Sequence, residues 1–277
     1  MTLKTIDGIA VANVKTWNGI AAASVKAVNT ETWTHSFLVD SADFDGTNDY
    51  LQSATQFTGA ANSKLLLASI FFRLDGGDAS RRGFFGFSDA LGYALFFQRN
   101  DDGKIQLGAR SITTDILTAT GTTVLTASGT WHHLAFSVDM ADTAKRFVYL
   151  DGAAETMTWT TYTNDEINFA TGIIDVTLGS RSNGAAFKFN GCLAEAYINY
   201  GTYMDLSVAA NLQKFRAADG KPVNLGTTGS TPTGSVPSGY FHLDDGETAA
   251  NFATNRAGNG NLAVNGALDT GSTSPSD

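Results

Sequence analysis

Between Phe37 and Tyr203 the chain is a succession of short apolar or alternating segments, each bounded by Gly, Asn or Asp. The longest apolar run is KLLLASIFFRL, from Lys64 to Leu74, and Asp75-Gly76-Gly77 ends it. Short runs with turn residues about every ten positions are typical of β-strands rather than helices. This pattern predicts an all-β fold, either a sandwich or a barrel.

Two hairpins and one alternating strand favour the sandwich. YALFFQRNDDGKIQLGAR (93–110) predicts strands on either side of an Asp-Gly turn, and RFVYLDGAAE (146–155) predicts a second hairpin at Asp151-Gly152. HLAFSVD (133–139) alternates apolar residues on one face with smaller or polar residues on the other. Long apolar strands opposite alternating strands are typical of two packed sheets.

The N-terminal segment, residues 1–36, contains an apolar repeat with a period of eleven: GIAVANVKTWN (8–18) is followed by GIAAASVKAVN (19–29). Asn18-Gly19 is a strong hairpin signal, so the two copies predict paired β-segments. An isolated hairpin is marginal in water and has unpaired edges. We therefore expect an arm that is covered by its own sandwich or by another subunit. Its candidate assembly residues are Ile9, Val14, Trp17, Ile20 and Val25.

Residues 204–277 differ from the β-rich segment before them. DLSVAANLQKFRAADG (205–220) predicts one short helix, with Asp205 as its N-cap and an apolar stripe of Val208, Leu212 and Phe215. GTTGSTPTGSVPSG (226–239) is typical of a loop. Two candidate strands follow, YFHL and NLAVNGAL, which would complete a sheet of the main domain or bind a neighbouring chain.

Composition excludes several classes of function. The formal net charge is −9 and no basic cluster is present, which argues against nucleic-acid binding. The single cysteine, Cys192, permits no intrachain disulfide and no cysteine-based metal site. Charged residues interrupt the N-terminal segment, so we expect no signal peptide, and no stretch is long enough to insert in a membrane.

Three stretches together resemble the concanavalin A-like, laminin G-like jelly-roll domains. They are FDGTNDYL (44–51), GTWHHLAFSVD (129–139) and GSRSNGAAFKFNGCLAEAYI (179–198). The resemblance covers residues 37–203 and implies a jelly-roll β-sandwich. The closing motif of that family has an acidic pair, of which this chain has only Glu195, because Ala194 occupies the first position. The family includes lectins, glycosidases and structural modules, so the fold alone does not give the function.

The flanking segments resemble parts of tailed-bacteriophage virion proteins. The N-terminal repeat is similar to short N-terminal segments of such proteins, and LQKFRAADGKPVNLG (212–226) is similar to C-terminal parts of their laminin G-like members. The resemblance implies a virion surface protein, on the capsid or the tail. Its partners would be other virion proteins, further copies of itself in a homo-oligomer, and surface glycans.

Candidate glycan-binding residues lie in two polar segments. Trp159 and Tyr162 stand in TMTWTTYTNDE (156–166), and Arg81 and Arg82 stand in the loop DGGDASRRGFFG (75–86). Aromatic rings flanked by polar side chains are typical of sugar-binding surfaces. The alternative is that the two aromatic side chains anchor their segment to the sandwich.

No catalytic residues and no cofactor are predicted. Asp45 and Asp49 have the oxygen ligands that Ca²⁺ prefers, although DGTND (45–49) is also an ordinary turn sequence. His132 and His133 are adjacent, so on a strand they point to opposite faces and cannot easily bind one metal ion. A retaining glycosidase needs two carboxylates about 5–5.5 Å apart, and Glu195 has no acidic residue two positions away on its strand.

The sequence therefore favours a non-enzymatic phage virion structural protein, as a capsid decoration or a tail component, that displays a laminin G-like module with glycan binding as its expected activity. A free carbohydrate-binding lectin or adhesin is the alternative. A glycoside hydrolase is a third hypothesis.

Overall fold

A computed structural model describes residues 38–181 and 186–277, together with the backbone of four two-residue strands between residues 5 and 21. The chain divides into two compact units, Met1–Ser36 and Phe37–Asp277. In the first unit, β1 (Thr5–Ile6) pairs with β2 (Ile9–Ala10), and β3 (Thr16–Trp17) pairs with β4 (Ile20–Ala21).

The pairing of β3 with β4 follows the hairpin signal of the repeat. Trp17 is the register partner of Ile20, so the two strands meet across Asn18-Gly19 as that dipeptide predicts. Val14 and Val25, which are also predicted assembly residues, lie outside the described residues.

The second unit is a sandwich of two antiparallel sheets, as the sequence predicts. The front sheet has eight strands in the spatial order β15-β11-β10-β9-β8-β16-β6-β19. In chain order these are β6 (Tyr50–Gln52), β8 (Arg82–Asp89), β9 (Gly92–Arg99), β10 (Lys104–Arg110), β11 (Asp115–Val124), β15 (Met157–Tyr162), β16 (Ile173–Leu178) and β19 (Ala263–Asn265).

The back sheet has the order β14-β13-β12-β7-β17-β5-β20, with β18 pairing β17 beside this series. In chain order these are β5 (Ala42–Asp45), β7 (Leu65–Leu74), β12 (Trp131–Asp139), β13 (Arg146–Leu150), β14 (Ala153–Ala154), β17 (Asn190–Tyr200), β18 (Gly239–Phe241) and β20 (Asp269–Thr270). Both predicted hairpins are confirmed, as β9 with β10 and as β13 with β14.

The main core lies between the two sheets and is rich in phenylalanine. Leu134, Phe136 and Val138 of β12 point into it, which confirms the inward face predicted for that strand. Opposite them, Phe85 and Phe97 of the front sheet are almost fully buried. Burial of these large apolar side chains is the main favourable term for a chain without a disulfide.

A second, smaller core covers the outer face of the back sheet. Residues of 204–225 and Tyr240 pack there against Leu67, Ala135 and Tyr197. The predicted outward face of β12 is therefore buried as well, since the C-terminal segment lies over it.

The helix in this segment is shorter than predicted. It spans only Ala209–Leu212, and its N-cap is Val208 rather than Asp205. The Asp205 carboxylate instead accepts hydrogen bonds from Ser207, and Val208 is 49% exposed, so the predicted apolar stripe is reduced to Leu212 and Phe215. The helix ends at Leu212, and the Phe215 ring beyond it packs edge-to-face on Tyr197 of the back sheet.

The end of the chain completes the sandwich rather than standing apart from it. β18 pairs with β17, β20 pairs with β5, and β19 adds an edge strand to the front sheet next to β6. A 3₁₀ turn, Ala249–Ala253, connects β18 to the last two strands. Among the described residues, no helix has the length and apolar character needed to cross a bilayer.

Candidate ligand-binding surfaces

Trp159 and Tyr162, the predicted aromatic binding residues, lie on the edge strand β15 and are only partly exposed. Their rings form an edge-to-face pair with centroids 5.5 Å apart, and both pack on the main core. The Tyr162 hydroxyl donates to the Asp139 carbonyl oxygen at 2.9 Å. The Arg146 guanidinium lies 5.0 Å from the Trp159 centroid and 5.2 Å from that of Tyr162. The pair therefore anchors its strand, and a guanidinium occupies the space over both rings.

Arg81 and Arg82 lie elsewhere on the front sheet. Arg81 is near the Phe187 ring (5.5 Å) and 3.8 Å from an Asp101 carboxylate oxygen. Arg82 donates to the Lys188 carbonyl oxygen at 2.7 Å. Since β8 and β15 are four strand spacings apart, about 19 Å at the usual spacing, the structure does not bring the predicted arginines and aromatics into one site. The glycan-binding role of these four residues remains a prediction.

The outer face of the front sheet carries a stack of planar groups that the sequence analysis missed. Phe96 of β9 is paired with Gly108 of β10, and a Cβ at position 108 would lie 2.2 Å from the Phe96 ring. The missing side chain therefore lets the ring lie against the sheet. The Arg181 guanidinium stacks on the same ring, 4.0 Å from its centroid. An isolated glycine inside a strand pattern was the available signal, because it indicates a close approach.

The Tyr93 ring extends this stack and lies between two guanidinium groups. Its ring centroid is 4.6 Å from the Arg181 guanidinium carbon and 5.5 Å from that of Arg110. Its hydroxyl donates to Asp115 at 2.8 Å, and burial followed by that hydrogen bond raises the Tyr93 pKa to about 12. Arg110 is itself held 3.4 Å from Asp115 and 4.0 Å from Asp89. The phenol is therefore a fixed, neutral hydrogen-bonding group at any physiological pH.

A chain of amides continues the same surface. Arg181 donates to Gln98 Oε1 at 3.0 Å, and Gln98 Nε2 donates to Gln106 Oε1 at 2.6 Å. We call this surface the Tyr93–Arg181 platform; it consists of Tyr93, Phe96, Gln98, Gln106, Arg110 and Arg181. Phe96 and Gln98 are buried, whereas the other four are half-buried and reach solvent. The row thus combines stacked planar groups with side-chain hydrogen-bond donors and acceptors on one sheet face.

Asp45 and Asp49, the weak calcium candidates, hold a turn. Asp45 Oδ1 accepts from the backbone N–H groups of Thr47, Asn48 and Asp49, and Asp49 accepts from the N–H of Asp45 and of Ala267. Burial raises the pKa of Asp45, but the three backbone hydrogen bonds outweigh it and the pKa is lowered. Backbone donors thus occupy both carboxylate oxygens of Asp49 and Oδ1 of Asp45.

One cluster outside the prediction combines metal-ligand atom types. Ligand atoms of Asp43, Asp75 and Cys192 lie within 4.8 Å of one another. Arg73 pairs with both oxygens of Asp75, at 2.8 and 2.6 Å. Burial, followed by the negative charge of Asp43, raises the pKa of the Cys192 thiol to about 12. A guanidinium beside a protonated thiol repels a cation, so this donor set does not fit a metal ion.

A surface cleft of about 420 Å³ lies at one end of the sandwich. It is enclosed by the loop between β6 and β7, the last residues of β17, the segment before β18, and Asn259. Its lining residues are Thr58, Gly59, Ala61, Asn62, Ser63, Asn199, Tyr200, Gly201, Val236, Pro237, Ser238 and Asn259. The cleft is thus lined by amides, hydroxyls and a few apolar groups, without an ionisable acid or base other than the phenol.

Glu195, the remaining acid of the closing motif, is buried and turned away from the Tyr93–Arg181 platform and from the cleft. It has a positive φ of 49° at a β-bulge, where β17 slips in register against β7. Its carboxylate accepts from the Tyr240 hydroxyl and contacts His242. With only 3% of its surface exposed, it has the environment of a structural ion-pair partner.

The two antiparallel sheets and their strand order define a jelly-roll sandwich. A laminin G family model, described as the concanavalin A-like lectin/glucanases superfamily, matches residues 45–204, which is 160 of 277 residues. The chain belongs to this superfamily. No curated protein sequence matches it.

Solved structures agree on the fold at low sequence identity. A putative carbohydrate-binding protein from Bacteroides ovatus is similar with a TM-score of 0.58 and 14% identity, over 85% of this chain and 61% of that one. The heptameric SAP-like pentraxin of Limulus polyphemus is similar with a TM-score of 0.52 and 12% identity, over 84% of this chain and 94% of that one. At these identities the likeness shows the jelly-roll architecture, including the C-terminal segment beyond the family match.

Proposed function

We propose that this chain is a non-enzymatic carbohydrate-binding module whose ligand contacts the Tyr93–Arg181 platform. One observation carries the proposal: Arg181 is stacked at 4.0 Å on a ring that is itself seated over a glycine. This order fixes a half-buried guanidinium plane on the outer face of the front sheet. A ligand that binds this plane finds the side chain already immobilised, so little conformational entropy is lost on binding.

Carbohydrate is the ligand class that fits this surface. A sugar offers alternating hydroxyls and C–H faces, and the platform offers half-exposed planar groups beside amide and guanidinium donors. The B. ovatus neighbour is described as a putative carbohydrate-binding protein, which supports the same class. Acidic residues on the platform's rim, Asp89 and Asp115, already pair with Arg110, so the local charge is close to balanced and favours a neutral ligand over a polyanion.

The test is a glycan array and titration calorimetry with the full chain and two alanine variants, Arg181→Ala and Tyr93→Ala. Each should lose binding about tenfold or more, since each removes a stacked or hydrogen-bonding group at the contact. Arg146→Ala is the matched control, because Arg146 also stacks on aromatic rings but at the β15 edge. If Arg146→Ala or Trp159→Ala abolishes binding and Arg181→Ala does not, the site lies on the predicted aromatic edge instead.

The second part of the proposal is that the module belongs to a bacteriophage particle. Residues 1–36 would then be the arm that attaches it to virion proteins or to other copies of itself. Support comes from the eleven-residue apolar repeat and its paired strands β3 and β4. Substitution of Trp17 and Ile20 by serine should abolish incorporation into particles while glycan binding persists. Incorporation of this variant at the normal level would instead favour a free lectin or adhesin.

A hydrolytic role has less support. Glycosidases of this kind need a carboxylate pair facing the sugar. Glu195 is the acid retained from the family's closing motif, and its carboxylate is engaged by Tyr240 and His242 inside the protein. Release of reducing sugar that disappears in Glu195→Gln, with the variant still folded, would reverse this part of the proposal.

A further inference from the structure

The end cleft is separate from the Tyr93–Arg181 platform and shares no residue with it. Two of its walls, Val236–Ser238 and Asn259, come from the C-terminal segment and lie beyond the family match at residues 45–204. The cleft therefore combines residues of the family-matched sandwich with residues of the C-terminal segment. Its volume of about 420 Å³ is within the range of about 300–1,000 Å³ that small-molecule sites occupy.

The asparagine side chains of the cleft are held in place from behind. Asn62 Oδ1 accepts the N–H groups of Phe169 and Ala170, both at 3.1 Å. Asn259 Nδ2 donates to the carbonyl oxygens of Pro237 and Ser238 at 3.0 and 3.3 Å. Asn62 Nδ2 also donates to the Thr171 hydroxyl at 3.2 Å, so the Asn62 amide is held at both ends, whereas the Asn259 amide is held through its Nδ2. No described residue donates a hydrogen bond to Asn259 Oδ1, so a ligand hydroxyl can do so.

Two further groups complete the polar wall. Asn199, only 5% exposed, donates to the Tyr197 hydroxyl at 3.4 Å. Beside it, the Tyr200 ring is stacked on Phe169 with centroids 4.7 Å apart, which fixes its orientation at the cleft. Asn62 and Asn259 are only partly buried, so water reaches their free hydrogen-bonding positions. The hydroxyls of a ligand can replace that water, so such a wall favours a ligand with several hydroxyls.

The absence of charge in the lining restricts the class of ligand further. The cleft has no Asp, Glu, Lys, Arg or His among its lining residues, and this part of the chain is fully described. A charged ligand would lose its hydration without gaining an ion-pair partner there, which is costly. Val236 and Pro237 supply an apolar surface for the C–H face of a ring.

We infer that the end cleft is a second ligand-binding site, which takes a small neutral polyhydroxylated molecule of mono- to disaccharide size. It does not depend on the proposed function of the platform. A chain with both sites would engage two sugar units at once, on two surfaces of one module.

The experiment is an NMR titration of the isotope-labelled full chain with the methyl glycosides of glucose, galactose, mannose and N-acetylglucosamine at tens of millimolar. Sodium glucuronate serves as the charged counterpart. At least one neutral glycoside should shift the side-chain amides of Asn62, Asn199 and Asn259, and glucuronate should not. Shifts from no neutral glycoside, or equal shifts from glucuronate, would overturn the inference.

Two valine variants locate the site without disturbing the core. Val236→Trp should fill the cleft and weaken binding of the glycoside about tenfold or more. Val208→Trp is its control, because both valines are 49% exposed but Val208 lies outside the cleft. Arg181→Ala separates the two sites: it should leave these amide shifts unchanged. Shifts that survive Val236→Trp, or that disappear in Arg181→Ala, would place the bound glycoside outside the cleft.

Discussion

The Tyr240 hydroxyl donates a hydrogen bond of 2.9 Å to Glu195 Oε2, and both side chains are buried. The bond joins β18, which comes from the C-terminal segment, to the bulge of β17 in the back sheet. Glu195 Oε1 contacts His242 Nδ1, and His242 Nε2 reaches Asp244 at 2.7 Å. The only acid retained from the family's closing motif thus fastens the C-terminal segment to the sandwich.

Tyr240→Phe should lower the free energy of unfolding by about 1.5–3 kcal/mol, because it removes a hydrogen bond to a buried carboxylate. Urea unfolding at neutral pH measures the loss. Tyr149→Phe is the control: Tyr149 packs against the same small core, and no described residue hydrogen-bonds its hydroxyl, so its effect should stay within about 0.5 kcal/mol. Equal stability of the two variants would show that the Tyr240–Glu195 bond contributes nothing.

His242 should make this attachment sensitive to alkaline pH. Burial lowers its pKa, but the hydrogen bond and charge of Glu195, followed by those of Asp244, outweigh burial and raise it. Arg256, which pairs with Asp244 and Glu247, and the stacked Tyr240 ring complete its surroundings. A pKa above the unfolded value of 6.5 stabilises the folded chain at low pH, and this contribution is lost as the pH rises through the folded pKa.

The measurement compares wild type with His242→Gln. The stability difference between the two should shrink as the pH is raised from 6.5 into the alkaline range. The protection factors of the amides in residues 239–256, which correct for the faster intrinsic exchange at higher pH, should fall in wild type over the same range. A difference that does not change with pH would contradict the prediction.

His133 should have the opposite effect on stability and make the folded chain less stable at acidic pH. It is fully buried against Phe71 and Ser69, and burial, followed by the positive charge of Arg216, lowers its pKa from 6.5 to about 3. Between these values the unfolded chain binds a proton that the folded chain does not, so stability falls as the pH drops. From pH 6.5 to 5 this loss is on the order of 1–2 kcal/mol. The non-titrating variant His133→Gln should lack it, as urea unfolding at both pH values would show.

The local strand pattern was predictable because hairpin signals and alternation act over a few residues. The turn at Asp101-Asp102-Gly103 and the inward face of β12 followed from neighbouring positions alone. The partners of Glu195 were not predictable, since Tyr240 and His242 are 45 and 47 residues away and a β-bulge turns the carboxylate toward them. The predicted helix from Asp205 was too long, since the Asp205 carboxylate bonds Ser207 in a local turn and the helix begins only at Ala209.

The candidate ligand-binding surfaces also depend on contacts between distant strands, which local sequence patterns do not predict. Trp159 and Tyr162 have the composition of a sugar-binding segment, but a register shift between β11 and β15 brings both rings onto the core. The platform depends on Arg181, which follows β16, reaching Phe96 on β9 two strands away. No local pattern encodes that contact.

Cys192 should be unreactive in the folded protein. It is fully buried, and its pKa of about 12 leaves almost no thiolate at pH 8. A colorimetric disulfide reagent should therefore label no thiol in the native protein and one thiol per chain in urea. Rapid labelling of the native protein would show that the cluster around Cys192 opens to solvent.

Gly108→Ala should disturb both the fold and the platform, because its new Cβ would lie 2.2 Å from the Phe96 ring. Overpacking of this kind costs about 1–3 kcal/mol. The ring must move, and Arg181, stacked at 4.0 Å, must move with it, so glycan binding should weaken as well.

The double variant Phe96→Leu/Gly108→Ala isolates the clash. A shorter side chain at position 96 should recover part of the lost stability, giving a favourable coupling energy in a double-mutant cycle. Binding should not recover, since the support beneath Arg181 is gone. Additive stabilities would show that Gly108 serves some purpose other than seating the Phe96 ring.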